Sequence, residues 1–270
     1  MPTLDEKRAA FRRLHETGCF VIPNPWDVGS ARMLQALGFP AIASTSSGMA
    51  WSSGLIDNEV PLEDALEHLA VLAAATDVPL NADFENGYAD APQDVAANVG
   101  RALSTGVAGL SIEDMSHDPG KPLYETALAV ERVKAARAAV DADGTGAVLV
   151  ARAEGLLQGQ PLAPTLDRLA AFADAGADCL YAPGLKTAQD IETAVRAVAP
   201  LPLNVLMGGP GLSVAQLADL GVRRISVGGA LARAAWAGFL TAAREIADEG
   251  RFDALGRAAT SAELKALLKP

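Results

Sequence analysis

Cysteine and histidine are scarce in this chain, with two and three copies among 270 residues. Cys19 and Cys179 are far apart, and each sits in an apolar run. That placement predicts free buried thiols in a reducing compartment rather than a disulfide framework. Basic charge is also short: 22 Lys and Arg stand against 33 Asp and Glu, for a net charge of −11. So acidic a chain repels phosphate backbones, which argues against nucleic acid as a partner. It does not exclude an anionic substrate, because a local Arg or metal overrides the global field. No apolar run approaches the roughly 18 residues of a membrane span. The stretch from Met1 to Arg13 is charged and carries no apolar core of a signal peptide, so a cytoplasmic location is expected. No P-loop or dinucleotide motif is present; the glycine runs at 207–211 and 227–229 read as tight turns.

What the chain has is apolar surface and a repeat. Half of its residues are hydrophobic, enough for a sizeable core. A helical segment that ends in Gly and is followed by a short apolar run recurs at Gly38, Gly106, Gly176 and Gly221. Gly closes a helix in the left-handed conformation. The runs after it do not alternate, as expected of parallel strands buried on both faces. Strands are predicted at 18–23, 41–46, 78–83, 107–113, 147–152, 179–182, 202–206 and 224–228. Helical stripes lie between them, such as Leu62, Leu66, Leu69 and Ala73 behind Pro61, and Leu166, Leu169 and Ala173 after Pro164. Ser213 reads as an N-cap. The prediction is an α/β fold, a (β/α)8 TIM-type barrel with extra C-terminal helices. Residues 1–270 are expected to form a single barrel domain, with 236–270 as a helical extension.

Barrels collect function at the C-terminal ends of their strands, and those ends are polar here. Thr45-Ser46-Ser47-Gly48 and then Asp57 follow strand 2. Asn81, Asp83 and Glu85 close strand 3, Glu113 and Asp114 strand 4, Arg152 and Glu154 strand 5, and Asn204 lies on strand 7. Alternation turns Asn81 and Asp83 the same way, and Glu85 too if the strand continues. Oxygen donors in such a cluster suit Mg²⁺. The planar fork of Arg152 suits a carboxylate or a developing oxyanion. Any one of these acids could merely cap a helix; the ordered set on four strands points to a site. His15 and His68 read as surface residues. His117 follows strand 4 in a loop where a functional role is open, and Trp26 either roofs the pocket or packs.

These motifs resemble the isocitrate lyase/phosphoenolpyruvate mutase superfamily. Leu80-Asn81-Ala82-Asp83 with Gly87-Tyr88 is similar to its strand-3 Asp-x-Asp-x-Gly-Tyr/Phe. Ile112-Glu113-Asp114 is similar to its strand-4 signature, and Val150-Ala151-Arg152 to its strand-5 Ala/Thr-Arg. The segment from Gly38 to Asp57 resembles its strand-2 region. The resemblance implies an enzyme of small 2-oxo acids or related carboxylates that uses Mg²⁺ and works through an enolate-like intermediate. It implies metal contacts from Asn81, Asp83 and Glu113, mostly through water. It implies substrate contacts from Thr45, Ser46, Ser47, Arg152 and Asn204, and catalytic or orienting roles for Asp57 and Arg152. Three departures stand out: Asn81 replaces a carboxylate, two extra residues precede Gly87-Tyr88, and the loop from Met115 to Leu123 lacks the acid/base Cys of the lyases. That loop also lacks the Lys-x-Asn-Ser/Thr of the mutase.

The expected chemistry is Mg²⁺-assisted C–C cleavage, by lysis or decarboxylation. P–C bond chemistry and a barrel that binds a dicarboxylate without turnover are the alternatives. Apolar residues beyond Trp236, among them Phe239, Leu240, Ile246 and Phe252, predict a homo-oligomer, most simply a tetramer.

Overall fold

The structure is a computed structural model that describes residues 2–116 and 118–269. Eight strands, β1 (Phe20–Ile22), β2 (Ile42–Ala43), β3 (Leu80–Asp83), β4 (Gly109–Glu113), β5 (Val148–Arg152), β6 (Cys179–Tyr181), β7 (Leu203–Leu206) and β8 (Arg224–Ser226), form one sheet in the order β1-β8-β7-β6-β5-β4-β3-β2. Every pairing is parallel. The sheet nearly closes on itself: at the β1/β2 seam the Ala43 amide donates to the Pro23 carbonyl at 3.0 Å. The Asn24 side chain finishes the seam, donating to the Ser44 carbonyl at 2.9 Å and accepting from the amides of Val227 and Gly228. The TIM-type barrel read from the repeat is the fold observed, and each strand lies inside its predicted range.

The helices are α1 (Leu4–Glu16), α2 (Val28–Ala36), α3 (Ser46–Ser52), α4 (Leu62–Ala75), α5 (Pro92–Leu103), α6 (Thr126–Asp143), α7 (Leu162–Asp174), α8 (Ala188–Val198), α9 (Val214–Asp219), α10 (Ala230–Glu249) and α11 (Ser261–Leu268). The Leu66, Leu69 and Ala73 stripe of α4 is buried as its spacing requires. Pro61 stands one place earlier than a first-turn residue, at the N-cap of α4. Pro164 lies within the first turn of α7 rather than before it. Ser213 caps α9 in a reciprocal box with Gln216. Strand 2 stops short of its predicted end because Thr45 caps α3, its hydroxyl accepting from the Gly48 amide.

Helix α1 covers the N-terminal mouth of the barrel. Its Phe11 is fully buried among Phe20, Ile22, Val148, Val150 and Cys179. Gly109 makes room for it, since a β-carbon there would lie 2.8 Å from the Phe11 ring. Arg8 and Lys7 bond to backbone carbonyls at that end, including those of Val107 and Ala73. His15, read from sequence as a surface residue, is buried here, packed edge-on against Phe11 and Phe20.

Beyond β8, α11 packs along α2, while α10 buries only Ala232 and leaves Phe239 59% exposed. Among the described residues no helix is long and apolar enough to cross a membrane.

Candidate active site

A cleft of about 170 Å³ opens at the C-terminal ends of the strands. That is smaller than the pockets of drug-sized ligands and suits a small acid. Its wall carries Thr45, Ser46, Ser47, Asp57, Asn81, Asp83 and Arg152, so seven of the nine residues singled out from sequence meet on one surface. The other two stand one layer back. Glu113 lies behind Arg152. Asn204 is 1% exposed and donates to Ser226, itself part of the cleft wall, at 3.0 Å.

Arg152 organises the acidic side. Its Nη1 lies 2.6 Å from Asp83, and its Nη2 lies 2.8 Å from Glu113 and 2.8 Å from Glu154. The ladder explains part of this, because Glu113 and Arg152 are direct neighbours across β4 and β5. Burial alone would lower the guanidinium's pKa, but Glu113, Glu154 and Asp83 outweigh it and hold Arg152 firmly charged. Burial is also the largest influence on Glu113 and Glu154 and raises both, with Arg152 opposing it. Ser46 fixes Asp83 from the other side: its amide and hydroxyl donate to Oδ2 at 3.1 and 3.3 Å. Asp57 stands at the exposed rim. The surrounding protein, and then the charge of Asp83, raise its carboxyl.

Strand alternation ends at Asp83. Glu85 and Tyr88 take left-handed backbone conformations, φ 44° and 54°, uncommon outside glycine and costly enough to persist mainly where the surroundings enforce them. The turn carries Glu85 behind Asp83, where it accepts from the Tyr88 hydroxyl at 3.1 Å. Burial, then Asp83, pushes its carboxyl up to about 7. A small side cavity there is lined by Glu85, Tyr88, Asp83 and His68. His68 is therefore not a surface residue: it is half-buried, and its Nε2 finds no hydrogen-bond partner among the described residues.

Sequence reasoning named Glu154 at the end of strand 5, two places beyond Arg152, without giving it a role, and it missed Asn24 and Arg224. Asn24 and Arg224 lie on the cleft wall. Asn24 occupies the amides of the 227–229 glycine turn. Trp26 packs over α3: a β-carbon on Gly48 would meet its Cβ at 2.9 Å. His117 lies outside the described residues.

The expected Mg²⁺ can be tested against these side chains. Asp57, Asp83, Glu85, Glu113 and Glu154 share one neighbourhood, with Arg152 as the cation that pairs with three of them. Five acids around one guanidinium leave the neighbourhood rich in carboxylate oxygens, the donors that suit a hydrated divalent cation. Among the described residues no three acids or histidines converge as direct ligands. Asn81 is turned from the acidic side: its Nδ2 donates to the Ala82 carbonyl and its Oδ1 faces Arg224. The donor set therefore fits a cation held through water.

Acids, hydroxyls and a fixed guanidinium at the C-terminal mouth of a parallel barrel define the active-site face of a barrel enzyme. The profile of the family described as phosphoenolpyruvate phosphomutase matches residues 11–247. The chain belongs to this family, within the isocitrate lyase/phosphoenolpyruvate mutase superfamily. It is similar to a crystal structure of a putative lyase/mutase from Burkholderia cenocepacia, with 45% identity, TM-score 0.94 and coverage of 97% of this chain and 95% of that one. It is also similar to oxaloacetate acetylhydrolase in complex with the product oxalate, with 27% identity, TM-score 0.86 and coverage of 98% and 94%. An oxaloacetate decarboxylase of Rhodopseudomonas palustris is 26% identical over 231 residues, 83% of this chain and 78% of that protein.

Proposed function

We propose that this protein cleaves a C–C bond in a small 2-oxo dicarboxylate of the oxaloacetate type, by decarboxylation or lysis. The observation that carries the reading is Arg152, locked by Asp83, Glu113 and Glu154 and facing a cleft walled by Thr45, Ser46 and Ser47. Likeness to an acetylhydrolase and a decarboxylase of oxaloacetate supports the substrate class.

The hydroxyl pair of Thr45 and Ser47, which share one hydrogen bond at 3.1 Å, turns its free proton to the carboxylate next to the oxo group, while Ser46 borders that position and holds Asp83. Arg152 cannot swing freely, since three acids fix its fork. It therefore presents charge where the enolate oxygen develops, with little reorganisation during the reaction. In decarboxylation the bond to the distal carboxylate carbon breaks, that group leaves as carbon dioxide, and the bond's electron pair passes into the enolate. Asp57, whose carboxyl is raised by its surroundings and then by Asp83, stands at the rim of the cleft as the group that relays a proton to the enolate carbon. Asp57, Asp83, Glu85 and Glu113 would hold Mg²⁺ through water. When bound, that cation supplies Lewis-acid polarisation of the oxo oxygen. The Met115–Leu123 loop closes as a small antiparallel bridge without a cysteine, which favours decarboxylation over lyase chemistry that needs a thiol proton donor.

We also read the exposed apolar face of α10 and the segment after it as the contact between copies of a homo-oligomer, with the barrel and its extension acting as one unit. The test of the function is turnover of oxaloacetate against 2-methylisocitrate and phosphonopyruvate, with Mg²⁺ or chelator. Oxaloacetate is expected to be consumed in a Mg²⁺-dependent manner, and Arg152→Gln to abolish it. Binding of oxalate without turnover of any 2-oxo acid would leave a non-catalytic barrel, and turnover confined to phosphonopyruvate would assign P–C chemistry.

A further inference from the structure

Arg224 opens β8 and is 3% exposed. A guanidinium buried this deeply is ordinarily matched by a carboxylate, because an unpaired buried charge is costly. Among the described residues no carboxylate lies within ion-pair distance of Arg224. The acid whose charge reaches it, Asp83, is engaged by Arg152. Arg224 Nη1 faces two neutral acceptors instead, His15 Nε2 at 3.3 Å and Asn81 Oδ1 at 3.5 Å. His15 lies with Nδ1 2.8 Å from the Phe11 carbonyl oxygen. Nδ1–H donates there, and Nε2 is left as a bare acceptor. Arg224 Nε finds no hydrogen-bond partner among the described residues. The Phe11 ring adds a contact, its centroid 5.7 Å from the guanidinium carbon.

This cation is not sealed away. Arg224 lines the same cleft as Arg152, beside Asn81, Tyr181 and Ser226. The cleft is thus polarised. Its acids gather around Arg152, and an unmatched positive charge lies in its floor near the α1 end. Asn81 is the residue that keeps the charge unmatched. A carboxylate in its place would stand against Nη1 and neutralise it.

We propose that Arg224 is the anion-recognition residue of the cleft floor, binding one carboxylate of the substrate, and that the neutral Asn81 leaves its charge available for that contact. The inference rests on the small-dicarboxylate reading above and adds to it the group that distinguishes a diacid from a monoacid. Arg152 attends the reacting end, and Arg224 the second carboxylate.

The test is calorimetry on the full chain with malonate, succinate and glutarate, each against the monoacid of equal carbon number, alongside oxaloacetate turnover. The wild type should prefer at least one diacid by about tenfold or more, the range of a charge-assisted hydrogen bond. Arg224→Gln should abolish that preference while its thermal midpoint holds or rises, since a buried unpaired charge has gone. Asn81→Asp keeps Arg224, should fold at least as stably, and should also lose the preference. A wild type without diacid preference, or an Asn81→Asp variant that binds diacids as tightly as the wild type, overturns the proposal. So does a preference that survives in Arg224→Gln. If the preference depends on Arg224 but no 2-oxo acid is turned over, the catalytic reading falls and this one stands. If oxaloacetate is turned over with KM unchanged in both variants, the catalytic reading stands and this one falls.

Discussion

Replacing Arg152 by Gln strands the acids it now pairs. Glu154 is the sharpest case: it is 1% exposed and accepts from Arg152 Nε at 2.8 Å. Breaking a buried pair from one side costs about 3–5 kcal/mol. Protonation sets a ceiling on that loss. To hold a proton at pH 7.5, a carboxyl whose ordinary pKa is 4.5 must give up about 4 kcal/mol relative to the unfolded chain, and at pH 5.5 only about 1.4 kcal/mol. The destabilisation of Arg152→Gln should therefore be about 3–4 kcal/mol near pH 7.5 and shrink by up to about 3 kcal/mol at pH 5.5. Urea unfolding of metal-free wild type and variant at the two pH values measures it. Adding Glu154→Gln to the variant should recover much of the loss at pH 7.5. A penalty that is the same at both pH values, or a second substitution that recovers nothing, would refute the claim that stranded buried charge governs this site.

Glu85→Gln should raise stability above pH 7 by at most about 3 kcal/mol. The native carboxyl is raised from 4.5 to about 7, so its contribution is full below 4.5 and lost as pH rises through 7; unfolding curves that stay parallel to wild type from pH 4.5 to 8 would contradict this. His15 has the opposite sign. Burial, then Arg224, lowers it from 6.5 to about 3, so its contribution is present above 6.5 and lost as pH falls towards 3. His15→Gln should therefore flatten the acid limb of the stability profile by at most about 5 kcal/mol, read by the same denaturation series. Light scattering at micromolar concentration should show an oligomer, with Phe239→Glu shifting it towards monomer; a monomeric wild type would dispose of the α10 contact.

The barrel was legible because its signals are local. A helix closed by Gly and followed by a non-alternating apolar run is a property of a few adjacent residues, and it recurs often enough to imply a parallel sheet covered by helices. Alternation likewise placed Asn81, Asp83 and Arg152 on the cleft side of their strands. It failed at Glu85, where the backbone turns left-handed and sends the carboxyl behind Asp83. His15 and His68 were misread because the surface against which each packs lies far away in the chain.

What the sequence determined by itself was the alternation of strands and helices, and which strand ends carry chemistry. The tertiary structure decided which charges meet. Nothing in adjacent residues places Arg224 against Asn81, 143 positions away, or against His15, 209 positions away. Those contacts depend on barrel closure and on α1 seating Phe11 in the N-terminal mouth. Helix period and strand alternation specify the direction of a side chain from its own element. They do not specify what waits across the barrel. In a buried, low-dielectric interior, that neighbour decides whether a guanidinium is locked by carboxylates, as Arg152 is, or left with its charge unmatched, as Arg224 is.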